Sequence, residues 1–185
     1  SRVGKGTFVR SQPINQDLRE LTGFTEEMGR LGASQSSRVL VSKITAAGPT
    51  LADHLRLAEG SPVAVLQRVR LANGKPLALE TSHLNLNYCP EDILTNHDFS
   101  RESLYQVLRN VYDVHPMWAN QIIEARLPDA YERKQLDLSE YDPVLSLTRV
   151  TYDQNDAPIE FVRSVYTGEH YQLQTTLRVE TKERL

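Results

Sequence analysis

Two runs rich in apolar residues, 65–72 and 77–84, are separated by an Asn73-Gly74 pair, and polar and apolar residues alternate from Arg68 to Leu71. A period of two is typical of β-strands, because successive side chains point to opposite faces. An Asn-Gly pair between two such runs favours a two-residue hairpin turn. This stretch therefore predicts a β-hairpin.

One face of the predicted hairpin is charged. Arg68 and Arg70 share a face of the first strand, and Glu80 lies on the second strand so that all three line one surface. Two interpretations remain open. The residues form cross-strand ion pairs on a solvated sheet, or the two guanidinium groups form an anion site.

Two short helices are predicted with polar residues at their starts. Thr25 suits an N-cap and Gly32 a stop. The segment 100–111 has an apolar helical stripe behind a serine cap, with Ser103 in its first turn. At both starts the hydroxyl either caps the helix or meets an anion together with free backbone N–H groups.

The remaining pattern completes a set of short elements. Residues 39–45, 117–125 and 171–179 alternate as strands, and residues 49–57 suit a helix with proline at its first turn. Residues 11–20 are polar, contain Pro13 and show little periodicity, so they are predicted to form a linker.

A shift of 81 positions reveals an internal repeat. Leu55, Leu57, Glu59, Pro62, Val63, Leu66, Arg68 and Val69 superimpose on Leu136, Leu138, Glu140, Pro143, Val144, Leu147, Arg149 and Val150. The unit is strand, short helix, strand, turn, strand, used twice. We therefore expect one α+β domain, a pseudo-symmetric antiparallel sheet with flanking helices.

The two copies differ at polar positions. Arg68 aligns with Arg149, whereas Arg70 aligns with Thr151 and Glu80 aligns with a valine. One half therefore looks specialised for a polar ligand and the other serves more as scaffold. In the second copy, Glu160 and Tyr166 share a strand face, where they either converge on ligand hydroxyls or form an exposed edge.

Composition narrows the classes of function. The chain has 185 residues, 39% of them hydrophobic, a formal net charge of -3 and a single cysteine, Cys89. The charge does not suggest nucleic-acid binding by this segment itself. One cysteine excludes an internal disulfide, the five histidines lack metal-ligand spacing, and no apolar run reaches membrane-spanning length. We expect a cytoplasmic protein without metal or cofactor.

Several motifs together resemble a known family. They are Gly4-Lys5-Gly6-Thr7-Phe8-Val9, Gly23-Phe24-Thr25-Glu26-Glu27-Met28, Arg68-Val69-Arg70-Leu71-Ala72-Asn73-Gly74, Ser103-Leu104-Tyr105 and Glu160-Phe161-Val162-Arg163-Ser164-Val165-Tyr166. The chain resembles the effector-binding (UTRA) domain of GntR-type bacterial transcription regulators of the HutC subfamily. The resemblance implies a chorismate-lyase-like fold, a homodimer, and control of operator DNA binding by a small metabolite.

The resemblance also implies a domain organisation. Residues 1–10 would be the end of a winged-helix wing strand, residues 11–20 the linker, and residues 21–180 the UTRA domain. The recognition helix that binds operator DNA would then precede Ser1.

Within this family the chain is most similar to repressors that respond to glucosamine 6-phosphate and N-acetylglucosamine 6-phosphate. By this similarity the phosphate contacts would be Phe24, Thr25, Arg68, Arg70 and Ser103, and the sugar contacts would be Glu80, Tyr105, Glu160 and Tyr166. The chain departs from the family-like pattern at His83, at Asn85 and in the loop 87–98.

Three alternatives follow from the same residues. The implied fold is shared with a lyase that removes pyruvate from chorismate, and arginines with a glutamate suit that chemistry. The chain would otherwise be a dimerisation module with a vestigial pocket, or its effector would be a different small anion.

Overall fold

The computed structural model describes residues 14–30 and 32–178. Within these residues the main sheet is antiparallel and its strands run in the spatial order β2-β3-β4-β7-β6-β5. The strands are β2 (Gln35–Ala46), β3 (Pro62–Ala72), β4 (Lys75–Asn85), β5 (Trp118–Arg126), β6 (Val144–Tyr152) and β7 (Pro158–Thr167). Two short strands, β1 (Ile14–Asp17) and β8 (Tyr171–Gln174), form a separate parallel pair.

Helices flank the sheet, as the sequence predicts for an α+β domain. They are α1 (Phe24–Arg30), α2 (Pro49–Leu55), α3 (Leu104–Tyr112) and α4 (Ala130–Leu136), with a 3-10 turn at Glu91–Leu94. Apolar residues of α3, such as Leu104 and Leu108, are buried with Leu66 and Ile159 of the sheet in one core cluster. Because Leu66 and Arg68 share a strand face, α3 packs on the face that carries the arginines.

The predicted hairpin is confirmed. Asn73 and Gly74 join β3 to β4 with φ angles of 51° and 78°, the left-handed conformations that a type I′ turn requires. The turn pairs Ala72 with Lys75 and Leu71 with Pro76, and a β-bulge at Leu77 then shifts the register by one residue, so that Arg68 lies directly opposite Glu80. The predicted common face of Arg68, Arg70 and Glu80 is confirmed, but it depends on this bulge, because an unbroken register would place Leu79 opposite Arg68.

The predicted repeat is confirmed as a pseudo-two-fold arrangement. The strand order reads outward symmetrically from the β4–β7 pair, where Glu80 lies opposite Ser164 and Ser82 lies opposite Val162. Helix α2 of the first copy packs on β7 of the second copy, and α4 packs on β4. Each half thus covers the other, and the two copies share one core.

Three boundaries differ from the sequence prediction. Residues 14–17, predicted as part of a linker, form β1, because their pairing partner β8 lies far along the chain and leaves no local signal. Helix α1 begins at Phe24, so Thr25 lies inside its first turn and is not its N-cap. Ser103 is the N-cap of α3, which starts at Leu104 rather than near position 100.

Strand β8 ends at Gln174, short of the predicted position 179, and residues 1–13, which include the predicted wing strand, lie outside the described residues.

Candidate functional site

A cleft lies between the sheet and the first turns of α1 and α3. It encloses about 550 Å³ of space between atoms, including its open mouth. Eight of the nine residues singled out from the sequence line it, namely Phe24, Arg68, Arg70, Glu80, Ser103, Tyr105, Glu160 and Tyr166. Segments far apart in the sequence thus meet in one polar cavity.

The ninth residue, Thr25, does not line the cleft but contacts Arg70, which does. Its hydroxyl oxygen accepts a hydrogen bond from Nη2 of Arg70 at 3.3 Å, and Oγ of Ser37 accepts one from Nη1 at 2.9 Å. The guanidinium group also lies over the ring of Phe24, 4.5 Å from its centroid, a distance suited to a cation–π contact. These contacts fix the orientation of Arg70.

Arg68 and Glu80 form an ion pair in the floor of the cleft. Nη2 of Arg68 donates to Oε1 of Glu80 at 2.5 Å, and Arg68 is only 2% exposed. The ion pair is therefore buried, and the predicted alternative of an ion pair on a solvated sheet face is wrong, since α1 and α3 cover this face. Burial of a charge pair is costly unless further hydrogen bonds satisfy both groups.

The arginines of the cleft lack some of these further hydrogen bonds. Within the described part of the chain, Nε and Nη1 of Arg68, Nε of Arg70 and Nε of Arg149 are buried and have no hydrogen-bond partner. Buried donors are nearly always paired, so unpaired ones call for a physical explanation. Their concentration on three arginines around one cleft suits the binding of an anion.

At the end of the cleft that holds Arg68, Arg70 and Glu80, the carboxylate and the guanidinium groups all stay charged at neutral pH. Burial alone would raise the pKa of Glu80, but Arg68 and Arg70 outweigh it and hold the pKa at about 2. Burial and the neighbouring Arg68 lower the pKa of Arg70 to about 10, which leaves it protonated at neutral pH. One carboxylate thus faces two cations here.

The other end of the cleft carries hydroxyl groups around a carboxylate. The Tyr105 hydroxyl donates to Oε2 of Glu160 at 2.8 Å and lies 3.1 Å from Oγ1 of Thr151. Burial, above all, raises the pKa of Tyr105, so its hydroxyl keeps its proton. Glu160, 2% exposed, can still accept hydrogen bonds from ligand hydroxyl or ammonium groups.

Tyr166, which the sheet register places level with Arg70, stacks on Tyr171, with ring centroids 3.9 Å apart. The Tyr171 hydroxyl donates to Gln16 on β1 and lies 3.4 Å from a carboxylate oxygen of Glu27 on α1. Burial raises the pKa of Glu27 to about 7. The β1–β8 pair and α1 are therefore tied to the cleft wall.

The position of Ser103 suits both roles considered for its hydroxyl, namely capping of α3 and contact with an anion in the cleft. Its oxygen accepts from the backbone N–H of Gln106 at 3.4 Å, which makes it the N-cap of α3. Ser103, Leu104 and Tyr105 all line the cleft, so the start of α3 borders it. The helix dipole adds positive potential there.

Glu27, Gln121 and Arg149 are among the cleft residues that the sequence analysis missed. Glu27 was indistinguishable from an ordinary first-turn acid, and Gln121 from any exposed strand residue. The repeat did contain a signal for Arg149, because it aligns with Arg68. Burial works to lower the pKa of Arg149, but Tyr105 and Glu160 raise it on balance, so this guanidinium is also charged.

Among residues 14–30 and 32–178, no group of three or more His, Cys, Asp or Glu side chains is placed to hold a metal ion. In the same ranges, no helix is long and apolar enough to cross a membrane.

The fold and the cleft together define the class as an α+β ligand-binding domain. The sequence profile of the UTRA domain matches residues 30–172. The chain belongs to this family, the effector-binding domains of GntR-type transcriptional regulators of the HutC subfamily. Its relatives are named repressors and regulators, so its role is regulatory and the lyase-like enzyme is set aside.

Individual relatives agree with this assignment. The HTH-type transcriptional repressor NagR of Bacillus subtilis is 32% identical over 168 residues, which cover 91% of this chain and 68% of that protein. A probable fructoselysine utilization operon transcriptional repressor of Shigella flexneri is 27% identical, over 84% of this chain and 63% of that protein.

A solved structure extends the agreement to three dimensions. The crystal structure of PhnF from Mycobacterium smegmatis matches with a TM-score of 0.85 and 29% identity, covering 97% of this chain and 78% of that one. The chain spans about two thirds of the length of the curated relatives it matches.

Proposed function

We propose that this domain binds a small phosphorylated sugar, glucosamine 6-phosphate or N-acetylglucosamine 6-phosphate, and thereby controls the binding of operator DNA. The observation that carries the proposal is the set of unpaired buried N–H groups on Arg68 and Arg70 beside the start of α3. A phosphate group would satisfy them all.

The phosphate end is supported by chemistry. A guanidinium group presents N–H donors in a planar fork that matches phosphate oxygens bidentately. The Ser103 hydroxyl and the N–H groups at the start of α3 add donors without charge. Arg70 is held in place by Ser37, Thr25 and the Phe24 ring, so little side-chain entropy is lost when an anion binds.

The sugar end is supported by the remaining polar groups. Glu80 and Glu160 are acceptors for sugar hydroxyls or for an ammonium group, and Tyr105 and Tyr166 add hydroxyls and aromatic surface. The name of the fructoselysine repressor refers to a sugar-derived compound. That name supports a sugar-related effector here without identifying it.

The proposal extends to the whole regulator. We infer a homodimer in the bacterial cytoplasm, in which residues 21–180 form the effector domain and a winged helix preceding Ser1 binds the operator. Two-fold symmetric dimers suit the two half-sites of such operators. Coupling between effector and operator would be on the order of 1–3 kcal/mol.

Calorimetric titration tests the effector. Glucosamine 6-phosphate is titrated into the wild type, Arg70→Met and the control Arg163→Met. Arg163 is exposed and alternates with cleft residues, so it lies on the opposite face. Arg70 is chosen because Glu80 keeps its partner Arg68 in this variant.

Charge-assisted hydrogen bonds contribute roughly 1.5–3 kcal/mol each, so Arg70→Met is expected to weaken binding about tenfold to more than a hundredfold. The control should bind as the wild type does. Equal affinities of wild type and Arg70→Met would contradict the anion site. No heat with any phosphorylated sugar would contradict the effector class, and would favour a different small anion or a dimerisation module.

A further inference from the structure

The main sheet has two edge strands, β2 and β5. An edge strand presents a row of unpaired backbone N–H and C=O groups, and proteins usually protect it with bulges, lysines or a covering segment. Strand β2 has a shifted register between Val39 and Val41, and it carries Lys43. The backbone N–H of Ser37 donates to the carbonyl of Ser100, which covers one end of the strand. Strand β2 is therefore a protected edge.

Strand β5 has none of these protections among residues 14–30 and 32–178. It pairs with β6 in an unbroken register from Trp118 to Arg126. On the side away from β6, no backbone group of β5 is hydrogen-bonded to another described residue. A regular, uncovered edge of nine residues is a surface on which another strand can pair.

Large apolar side chains are exposed along the same edge. The described part of the chain has twelve exposed large apolar side chains, and four of them lie within residues 117–127. They are Met117, Trp118, Ile122 and Leu127, with 61%, 40%, 64% and 60% of their surface exposed. Exposed apolar residues that lie together mark interaction sites, whereas scattered ones are ordinary. The β5 edge therefore offers both free backbone groups and apolar contact surface.

A second copy of this chain can meet the edge by two-fold symmetry. When two copies of one strand pair antiparallel, the two-fold axis passes through a residue, which then lies opposite itself, because alternate residues point their N–H and C=O groups to the same side. Ile122 is the midpoint of β5, so an axis there pairs the whole strand. Residues at equal distances before and after Ile122 then lie opposite each other.

The sequence of β5 is complementary to itself in this register. At the axis, Ile122 lies opposite Ile122 of the partner subunit. Asn120 lies opposite Glu124, so that its amide can donate to the carboxylate. Just beyond the ends of the strand, the exposed side chains of Met117 and Leu127 lie opposite each other. Three of the four exposed apolar side chains are thus covered by apolar partners.

The fourth apolar side chain, Trp118, lies opposite Arg126. Both terminal nitrogens of Arg126 donate to the Glu132 carboxylate of the same chain at 2.6 Å, so the aliphatic part of Arg126 is left to pack on the indole ring. An axis at Glu124 would instead place two carboxylates directly opposite each other, and like charges there are destabilising. The side chains therefore favour the axis at Ile122.

We propose that β5 is the surface through which two copies of this chain associate, paired antiparallel about Ile122 so that their main sheets become continuous. This inference rests on the homodimer of the proposed function and adds its interface and register. On the cleft face, the pairing places Ile123 of the partner subunit opposite Gln121, which lines the cleft. The interface therefore borders both effector clefts, and a bound effector lies beside the strand that joins the two subunits.

Analytical ultracentrifugation of the 185-residue chain tests the surface. Ile122→Lys places two ammonium groups opposite each other at the axis, and it should raise the dimer dissociation constant by about a hundredfold or more. At micromolar concentrations where the wild type is a dimer, this variant should sediment as a 21.0 kDa monomer. Ile44→Lys is the matched control, because Ile44 is an exposed apolar residue on the other edge strand, β2. It should leave the dimer intact.

Cysteine cross-linking tests the register without introducing a charge. Residues directly opposite in an antiparallel pair have Cα atoms about 4.5–5.5 Å apart, within the range of roughly 4.4–6.8 Å that a disulfide spans. Ile122→Cys should therefore form a covalent dimer on oxidation. Asn120→Cys should not, because its counterpart is four residues from the opposite position, about 13 Å along the strand. A mixture of Asn120→Cys and Glu124→Cys chains should cross-link. The native Cys89 is buried in every variant.

The failures of the interface and of the proposed function are distinguishable. If the wild type is a dimer, and Ile122→Lys remains one or Ile122→Cys does not cross-link, another surface joins the subunits; the interface is overturned and the homodimer stands. Coverage of β5 by residues 1–13 or by a segment preceding Ser1 would give the same result. Cross-linking of Asn120→Cys as fast as Ile122→Cys overturns the register. A monomeric wild type overturns the interface and the homodimer together, while calorimetry tests the effector independently.

Discussion

The two halves of the sheet share one scaffold and bury different polar groups. In the first half, β3 and β4 hold Arg68, Arg70 and Glu80 as a charged cluster with two cations and one anion. In the second half, the corresponding strands hold Arg149 without a paired carboxylate, and a hydroxyl-rich group around Glu160. Backbone register and helix placement are the same in both.

This difference separates what the fold needs from what the site needs. The apolar positions and helix ends are repeated: Arg56 and Asp137, which follow α2 and α4, both adopt left-handed conformations with φ of 51° and 57°. The polar positions are repeated only in part: Arg68 recurs as Arg149, but Arg70 becomes Thr151 and Glu80 becomes Val162. Duplication of a scaffold therefore supplied two faces, which diverged into a cationic end and a hydroxyl-binding end.

The largest expected effect compares the two equivalent arginines. Arg68→Met leaves the Glu80 carboxylate buried without its partner, which typically costs about 3–5 kcal/mol. Arg149→Met breaks no direct ion pair, but it removes a cation that Tyr105 and Glu160 stabilise, so it should cost less than Arg68→Met and more than nothing. Urea unfolding of both variants at pH 7 measures the difference. Similar losses in the two variants would mean that the halves are not electrostatically distinct.

The second-largest expected effect is on the pH dependence of stability, and it distinguishes two acidic residues of the cleft, Glu27 and Glu80. Glu80 is ionised, whereas burial raises the pKa of Glu27 from 4.5 to about 7. The folded domain thus holds a proton on Glu27 that the unfolded chain releases, so this group's contribution to stability falls as pH rises from about 4.5 to 7. The loss is up to about 3 kcal/mol, since each pKa unit corresponds to about 1.36 kcal/mol.

Glu27→Gln should remove this loss, because a neutral amide replaces the protonated carboxyl. Thermal unfolding at pH 5 and pH 8 is therefore expected to show a smaller decrease for Glu27→Gln than for the wild type. The other titratable groups are the same in both proteins and cancel in the comparison. Glu59→Gln, at an exposed position, serves as the control, and an identical pH dependence in all three proteins would refute the assignment.

The smallest effect compares the two hairpin turns. Gly74 has φ of 78° between β3 and β4, and Asp156 has φ of 59° between β6 and β7. Gly74→Ala places a Cβ atom in a left-handed conformation and should cost about 1–2 kcal/mol. Asp156→Asn keeps a residue that tolerates this conformation and should stay within about 0.5 kcal/mol. Urea unfolding tests both, and a neutral Gly74→Ala would show that the turn relaxes.

The sequence by itself determined the parts that depend on local geometry. Strand alternation and the Asn73-Gly74 turn predicted the hairpin and placed Arg68 and Arg70 on one face, because the period of a strand is two. Glu80 reaches that face through the β-bulge beside the turn, which the tertiary structure revealed. The repeat predicted the pseudo-symmetric sheet, because equal patterns form equal elements. The family motifs indicated eight of the residues that line the cleft.

Only the tertiary structure decided burial and long-range pairing. The sequence could not distinguish a solvated ion pair from a buried one at Arg68 and Glu80, since that depends on whether α1 and α3 cover the sheet face. The contact of Tyr171 with Gln16 and Glu27, and the pairing of β1 with β8, join segments about 150 residues apart. Such contacts leave no periodic signal, because they arise when separately formed elements pack. That packing also placed Arg149 in the wall of the cleft.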